Sequence, residues 1–551
     1  MSAADRASGA TSAGTAMLGA ARDYAAHHPQ SAGNGSLMRT GIVALAHLGD
    51  AAAMAEAAVA VSALTHPDPD CADACVLWCS GIRTAVLEGT FEGVRAGLDL
   101  LPADRRGLWA EWLDEAEAHP PHHFSPNGWV VSALQAAWSA ITRIPVPEPA
   151  PAEQSFPGQH LRLALEAAVR AGNDTDTVAA IAGALLGARW GCSGIPLQWQ
   201  QVVRGWPGLT GVDLVRLAVR TARGGKDDSD GWPSAARVPV PTGADRGFAV
   251  PHPHDPGVVL GNLALLQGSE PVAVEAVVSL CRMGTAPVLP GADVEHVRVW
   301  LVDSDGDNAN LHYVVDQAAR EVLRLRGAGK RVLLHCAAGQ SRTPAVAAVY
   351  SHLATGADAG TALKDLREVL VGGWQLSAHV ELLDAVHALA GPPVDSQTSL
   401  FSWSEEEDGE PEALLDVAPE PEVQTEFLRE KWAASRVRGL LLGLAVGDTL
   451  GAARGKLPAD VSLRAGVSTQ LACFTAEGTI RAFVRGDHKG VCSPSGVVWH
   501  AYRRWAALQG IELLDHPESG QGGAWPDGWL AKRASRNRVW GWGFRTGVLF
   551  R

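Results

Sequence analysis

Cys336 and Arg342 stand near the two ends of the stretch L-L-H-C-A-A-G-Q-S-R-T, Leu333 to Thr343. A thiol and a guanidinium held in one short loop are a nucleophile and an oxyanion receptor. Ahead of them Val332-Leu333-Leu334 reads as a buried strand, and behind them Thr343-Pro344 opens a helix-like run to Leu353. A strand, a tight loop and a helix start gather backbone N–H groups around one point. Those groups belong to Ala337, Ala338, Gly339, Gln340, Ser341 and Arg342. Helix N-termini carry unpaired donors and the positive end of the dipole, so that point is an anion site. The same field favours the thiolate of Cys336. The Arg342 fork matches two phosphoryl oxygens, and Gly339 lets the loop turn. Ser341 and Thr343 are expected to hydrogen-bond the sulfur as it leaves phosphorus. The plain alternative is an inert buried thiol beside a structural Arg. His335, Gly339, the S-R-T ending and the strand–helix frame together weigh against it.

A second set of chemical side chains lies at Gly172-Asn173-Asp174-Thr175-Asp176-Thr177, just before a smooth helical run from Val178 to Gly187. Asp174, Asp176 and Thr177 bring two carboxylates and a hydroxyl to a helix start. Hard oxygen ligands suit Mg²⁺. Short polar residues at that place also form a capping box, and spacing alone leaves both readings open.

The elements that must position these groups fall into blocks. The 551 residues, 46% apolar, suffice for several cores. Residues 1–225 carry Ala and Leu at helical spacing, in runs such as Ala51 to Ala63, Ala72 to Leu87, Val130 to Ile141 and Leu161 to Ala171. They read as an all-α block. Residues 226–250 read as a polar linker. In 251–391, short apolar runs at 258–260, 276–280, 297–302 and 332–334 alternate with helical runs at 311–325, 343–354, 360–370 and 377–390. That alternation predicts an α/β domain with Cys336 at the C-terminal end of a strand. Residues 392–428 contain an acidic run and several Pro, and read as a disordered tether. From 429 to 551 the chain turns helical again, with Gly439, Gly443, Gly447 and Gly451 at four-residue spacing. Such spacing suits close packing on another helix. The apolar helix cannot stay alone in water, so it is expected to pack on the block at 1–225. The chain from Lys532 onward lacks a helix pattern.

The formal net charge of −14 argues against nucleic acid as a partner. No apolar run approaches the ~18 residues of a membrane span, so no membrane role is expected. Eight cysteines without paired spacing, and no leader-like apolar stretch, point to a reduced cytoplasmic setting. Cys71, Cys75 and Cys79, one helical turn apart, read as core packing.

The 333–343 loop resembles the signature loop of cysteine-dependent protein phosphatases, in their dual-specificity branch. That resemblance implies a phospho-cysteine intermediate, no cofactor, and a phosphorylated protein or small phosphoester as substrate. It also implies an acid upstream of Cys336. Asp303, directly ending the strand-like run Val299 to Val302, is the first choice and Asp305 the second.

A second resemblance rests on Ser31-Ala32-Gly33-Asn34-Gly35-Ser36, Leu64-Thr65-His66-Pro67, Asn127-Gly128-Trp129-Val130-Val131 and Gly172 to Thr177. It continues in Gly439 to Gly451, Thr469-Gln470-Leu471 and Thr475-Ala476-Glu477-Gly478. These motifs are similar to those of the ADP-ribosylglycohydrolase family, all-α hydrolases with two Mg²⁺ ions that act on ADP-ribosylated substrates. The resemblance makes Asp174, Asp176 and Thr177 metal ligands, and lays Ser31, Gly33, Asn34 and His66 along ADP-ribose. Two departures stand out. The family's first block comes last in this chain, which implies a split, permuted all-α domain around the α/β domain. The family's Thr-Asp-Asp-Thr motif falls on Gly466-Val467-Ser468-Thr469, so two carboxylates are missing. Three readings follow. One is a phosphatase with an ADP-ribose-binding module that hydrolyses weakly. The others are a fully bifunctional enzyme and a phosphatase on a non-catalytic helical scaffold.

Overall fold

The computed structural model describes residues 31–205, 208–269, 271–370, 374–391, 431–455, 463–489 and 492–509, with a few positions between 21 and 27. The acidic tether at 392–428 and the tail from Lys532 lie outside the described residues. The fold is multidomain: a helical domain built from both ends of the described chain, and an α/β domain between them.

In the first block the longer helices are α1 (Ala51–Ser62), α2 (Pro69–Glu88), α3 (Ala103–Ala118), α4 (Val130–Thr142), α5 (His160–Val169) and α6 (Thr175–Trp190). A hairpin of two short strands, β1 (Val203–Gly205) and β2 (Leu209–Thr210), leads into α7 (Gly211–Ala222). Start signals are local. Asp50 and Asp68 cap α1 and α2 through their carboxylates, and Thr210 with Asp213 forms a capping box on α7. Cys71, Cys75 and Cys79 are fully buried in the helical core.

The α/β domain contains β3 (Ala249–His252), β4 (Asp255–Asn262), β5 (Ala276–Ser279), β6 (Glu295–Arg298), α8 (Leu311–Gly327), β7 (Val332–Cys336), α9 (Arg342–Thr355), α10 (Ala359–Val369) and α11 (Val380–Ala390). Strand order is β3-β4-β7-β5-β6, parallel except for β3 on β4. Strand alternation sorts the side chains. Val258, Leu260, Ala276, Val278, Val332, Leu334 and Cys336 face the main core, where Val315, Ala319 and Val346 cover them. Val259, Val277 and Leu333 face a thinner layer. β3 was not among the expected strands, because its A-V-P-H sequence carries a Pro and lies on the sheet edge.

The last block supplies α12 (Lys431–Ala452), β8 (Leu463–Arg464), α13 (Val467–Lys489) and α14 (Pro494–Leu508). α12 lies along α6 with backbones in contact. A Cβ on Gly187 would run into the carbonyl oxygen of Gly439, and one on Gly443 into that of Gly183. One on Gly447 would meet the Ala179 oxygen, and one on Gly451 that of Thr175. Four-residue spacing keeps these glycines on one face, which is why the helices approach so closely. The two remote blocks thus share one core, in which Leu440 and Leu444 join Leu77 and Leu185. β8 adds a parallel strand to β1, so the helical domain is all-α apart from this small sheet. Strands of two or three residues are too short to show alternation in sequence.

The stretch at 226–250 packs against both domains. Trp232 is buried in the helical core, and the N–H groups of Thr285 and Ala286 donate to the carbonyls of Ala235 and Ala236 at 2.9 and 3.0 Å. The helical domain also meets α8, where Gln317 accepts from the Leu197 N–H at 3.0 Å and Glu321 from Gln201 at 2.9 Å.

Candidate active sites

Cys336 is the last residue of β7 and is fully buried. Its sulfur accepts the Gly339 N–H at 3.1 Å. Gly339 has φ +81°, and a Cβ there would lie 2.6 Å from the Phe248 ring and 2.9 Å from the Gly261 oxygen. The loop folds tightly because that residue has no side chain. The Ala337 carbonyl accepts from Leu263 and the Gln340 carbonyl from Gln375, at 3.1 and 3.0 Å.

Arg342 opens α9 and is buried. Its Nη1 donates to the carbonyls of Leu280 and Leu301, each at 3.1 Å, and Nη2 to Asp303 Oδ2 at 3.1 Å. The guanidinium is therefore aimed by two strand ends. Asp303 also accepts from the Ser341 hydroxyl and lies 3.7 Å from His379 Nε2. This corrects the expected position of Ser341, whose hydroxyl faces the acid rather than the sulfur because Asp303 folds in over the loop. Buried Thr343 keeps its hydroxyl without a partner. Asp305 instead accepts the N–H groups of Val380 and Glu381 at 3.1 and 3.3 Å, capping α11. Of the two candidate acids, Asp303 is the one at the sulfur's loop.

Behind the nucleophile, buried His335 donates Nδ1–H to the Cys336 carbonyl at 3.1 Å and accepts the Ser279 hydroxyl at 2.6 Å on Nε2. Burial pulls its pKa down to about 4, so it stays neutral.

The second site sits at the start of α6. Asn34 Nδ2 donates to Asp174 Oδ2 at 2.7 Å and to the Asn127 carbonyl at 2.9 Å. Asn127 Oδ1 accepts the Asp174 N–H at 2.9 Å. The Gly33 loop bridges Trp129, and the Gly33 N–H donates to the Ser31 carbonyl at 2.9 Å. His66 packs against the backbones of Gly33 and Gly35, with Nδ1 on the Thr65 hydroxyl at 2.7 Å. Burial, then Arg39, lowers its pKa to about 3. Arg39 pins this loop to α14 through the Tyr502 hydroxyl at 3.0 Å. Ser31, Gly33, Asn34, His66 and Asp174 are thus drawn together. Asn127 was only part of a motif in the sequence; here its two ends clamp Asp174 and Gly172.

Asp176 and Thr177 follow on α6. Burial and the neighbouring Asp174 raise the Asp176 carboxyl to about 6. From α12, fully buried Asp448 is raised to about 7 by burial. It accepts the Thr469 hydroxyl and N–H at 2.6 and 3.0 Å, while Oδ1 has no partner. At the start of α13, Val467 offers no ligand, the Ser468 hydroxyl turns to the Met38 sulfur at 3.2 Å, and the Thr469 hydroxyl is spent on Asp448. Among the described residues no group of three or more His, Cys, Asp and Glu is placed to hold a metal ion. The residues do not fit a dinuclear Mg²⁺ centre, which needs carboxylates on both sides to balance two dications.

The model of the ADP-ribosylglycohydrolase family matches residues 2–229 and 429–547, more than half of the chain. The chain belongs to the ADP-ribosylglycohydrolase family. The matched blocks are the two that α6 and α12 bring together, so this member carries its family domain in two blocks on either side of the α/β domain. No curated protein matches the sequence. Solved structures align with about a quarter of the chain. Human DUSP28 is 20% identical and covers 25% of this chain and 94% of its own, with a TM-score of 0.22. PTPMT1 is 19% identical, covering 26% and 97%, with a TM-score of 0.20. OH1 from the Orf virus, a tyrosine phosphatase, is 21% identical, covering 24% and 82%, with a TM-score of 0.20. The chain is a hydrolase by family, and among the described residues no helix is long and apolar enough to cross a membrane.

Proposed function

We propose that this ADP-ribosylglycohydrolase family member is a cysteine-dependent phosphomonoester hydrolase. Its helical domain binds ADP-ribose or an ADP-ribosylated substrate and hydrolyses it slowly or not at all. The observation that carries the reading is the convergence at the end of β7. The sulfur accepts a loop amide, and Arg342 and Asp303 meet over the same loop.

The substrate is a phosphorylated protein or a small phosphoester. Arg342 binds two phosphoryl oxygens where Asp303 now lies. The Cys336 thiolate attacks phosphorus, the bond to the leaving oxygen breaks, and protonated Asp303 gives that oxygen its proton. Water then attacks the phospho-cysteine, Asp303 takes a water proton, and the sulfur leaves as thiolate beside the Gly339 amide and the Thr343 hydroxyl. The reaction needs Cys336 reduced, so a cytoplasmic setting belongs to this reading.

In the helical domain Ser31, Gly33, Asn34 and His66 form the ADP-ribose cradle. Asp174, Asp176 and Thr177 hold at most one weakly bound Mg²⁺, because the opposing carboxylates are absent. ADP-ribose binding without Mg²⁺ separates this reading from a non-catalytic scaffold. Fast Mg²⁺-dependent hydrolysis lost in Asp174→Ala would establish the bifunctional alternative instead.

The decisive experiment is turnover of p-nitrophenyl phosphate with EDTA present. Cys336→Ser should abolish it, and Asp303→Asn should lower it about 10²–10⁴-fold. Undiminished turnover in Cys336→Ser overturns the phosphatase reading.

A further inference from the structure

The loop that carries Asp303 is held from outside its own domain. Arg438 projects from α12 of the helical domain and is 3% exposed. Its guanidinium carbon lies 3.2 Å from the Trp300 ring centroid and 4.4 Å from that of Trp232. Trp232 in turn has Arg282 on it at 4.9 Å, and Arg282 is paired with Asp228 at 2.8 Å. The result is a stack, Arg282–Trp232–Arg438–Trp300, in which cations and rings alternate. It joins the α/β domain, the segment after α7 and the helical domain.

Arg438 is an expensive residue to place there. Burial pushes its pKa down to about 9, and its Nε has no hydrogen-bond partner. Ring faces offer a buried cation a favourable electrostatic surface, and here two rings supply it.

Trp300 leads directly into the acid loop. The next residue, Leu301, gives its carbonyl to Arg342 at 3.1 Å. Asn308 then ties the loop across its neck, accepting the Val302 N–H at 2.8 Å and donating to the Val302 carbonyl at 3.0 Å. At the far end Asn310 donates to the Trp190 carbonyl at 2.8 Å and to the Ser193 hydroxyl at 2.9 Å, both in the helical domain. Both ends of the acid loop are therefore fixed by the packed pair α6 and α12.

We propose that Arg438, acting through Trp300, is a positioning residue for the acid Asp303, with Asn310 as the second anchor. The helical domain thereby serves the phosphate chemistry as a support for its proton donor. This rests on the phosphatase reading above. A loop freed at one end leaves Cys336, the loop amides and the Arg342 bond to the Leu280 carbonyl in place, but holds the carboxyl off the leaving oxygen. Loss of alignment at a proton donor lowers turnover without weakening oxyanion binding.

The test uses the full chain and two aryl phosphates. One is p-nitrophenyl phosphate; the other is a fluorinated aryl phosphate whose leaving group departs without protonation. Arg438→Met is expected to lower kcat for the poorer leaving group roughly 10- to 100-fold. The fluorinated substrate and tungstate inhibition should be nearly unchanged, and the basic limb of the pH profile should flatten. Arg438→Lys, which keeps a cation between the rings, is expected to recover part of the loss. Asn310→Ala, outside the helical core, should show the same selectivity and decides the matter if Arg438→Met fails to fold. Equal losses on both substrates, or none on either, overturn the proposal. Activity that persists in Cys336→Ser defeats the phosphatase reading instead, so the two failures are distinguishable.

Discussion

At the start of α9 a thiol, a guanidinium and a row of amides come from one contiguous loop. At the start of α6 the groups come from separate segments around Asn34, His66, Asn127 and Asp174, with Asp448 and Thr469 supplied by the remote block. Both sites use a helix N-terminus, yet they differ in completeness. A contiguous loop keeps its chemistry wherever it is inserted, since the chain itself sets the spacing. A composite site depends on every contributing segment, and substitution in one of them leaves the rest facing an apolar wall. The glycine packing between α6 and α12 involves none of the side chains of that composite site, so the helical fold does not depend on the site being complete.

Breaking the composite side is expected to have the largest effect. Gly443→Val places a branched side chain against the Gly183 carbonyl and should destabilise the helical domain by about 3 kcal/mol or more, read by urea unfolding. An unchanged midpoint would show that the close helix contact is dispensable. ADP-ribose binding should vanish with the fold.

A second prediction tests the contiguous side through pH. His335 has its pKa lowered to about 4 in the fold, against an ordinary value of 6.5. The unfolded chain therefore binds a proton that the native state refuses. The contribution is present above about pH 6.5 and is lost as pH falls towards 4. His335→Gln should remove about 2 kcal/mol of the stability difference between pH 7 and pH 5. Equal pH dependence in the two proteins would contradict the neutral, buried assignment.

The smallest expected effect restores the missing ligands. Val467→Asp with Ser468→Asp should tighten Mg²⁺ roughly tenfold by calorimetry and raise hydrolysis of an ADP-ribosylated substrate. No gain in Mg²⁺ affinity would mean that the missing carboxylates are not what weakens this site.

The contrast also explains what could be read in advance. The 333–343 loop was legible because its donors are neighbours in sequence, and Asp303 because it directly ends an apolar run. The glycines of α12 announced a close partner through their spacing alone. The Arg438–Trp300 contact was not legible, since no periodicity relates two residues that meet only after the domains dock. Ser341 was misplaced because a hydroxyl beside a thiol suggests the thiol, while the structure has an acid folding in from another strand end. Asp448 lies inside an apolar helix, and its neighbours in sequence give no sign of the partner it meets. Its unpartnered Oδ1 became visible once Thr469 was seen to occupy the other oxygen.

The glycine-lined contact between α6 and α12 has a consequence for synthesis. Gly183 and Gly187 leave the ribosome long before Gly443 and Gly439. At ~5–20 residues per second, the partner helix arrives roughly ten to fifty seconds later. For that interval the backbone groove on α6 stays open, while the whole α/β domain emerges and has time to fold. The nascent helical block must wait, half-built, with the phosphate loop already formed beside it. Such an interval is a window in which a chaperone, or the matching helix of another nascent copy, can occupy the groove first.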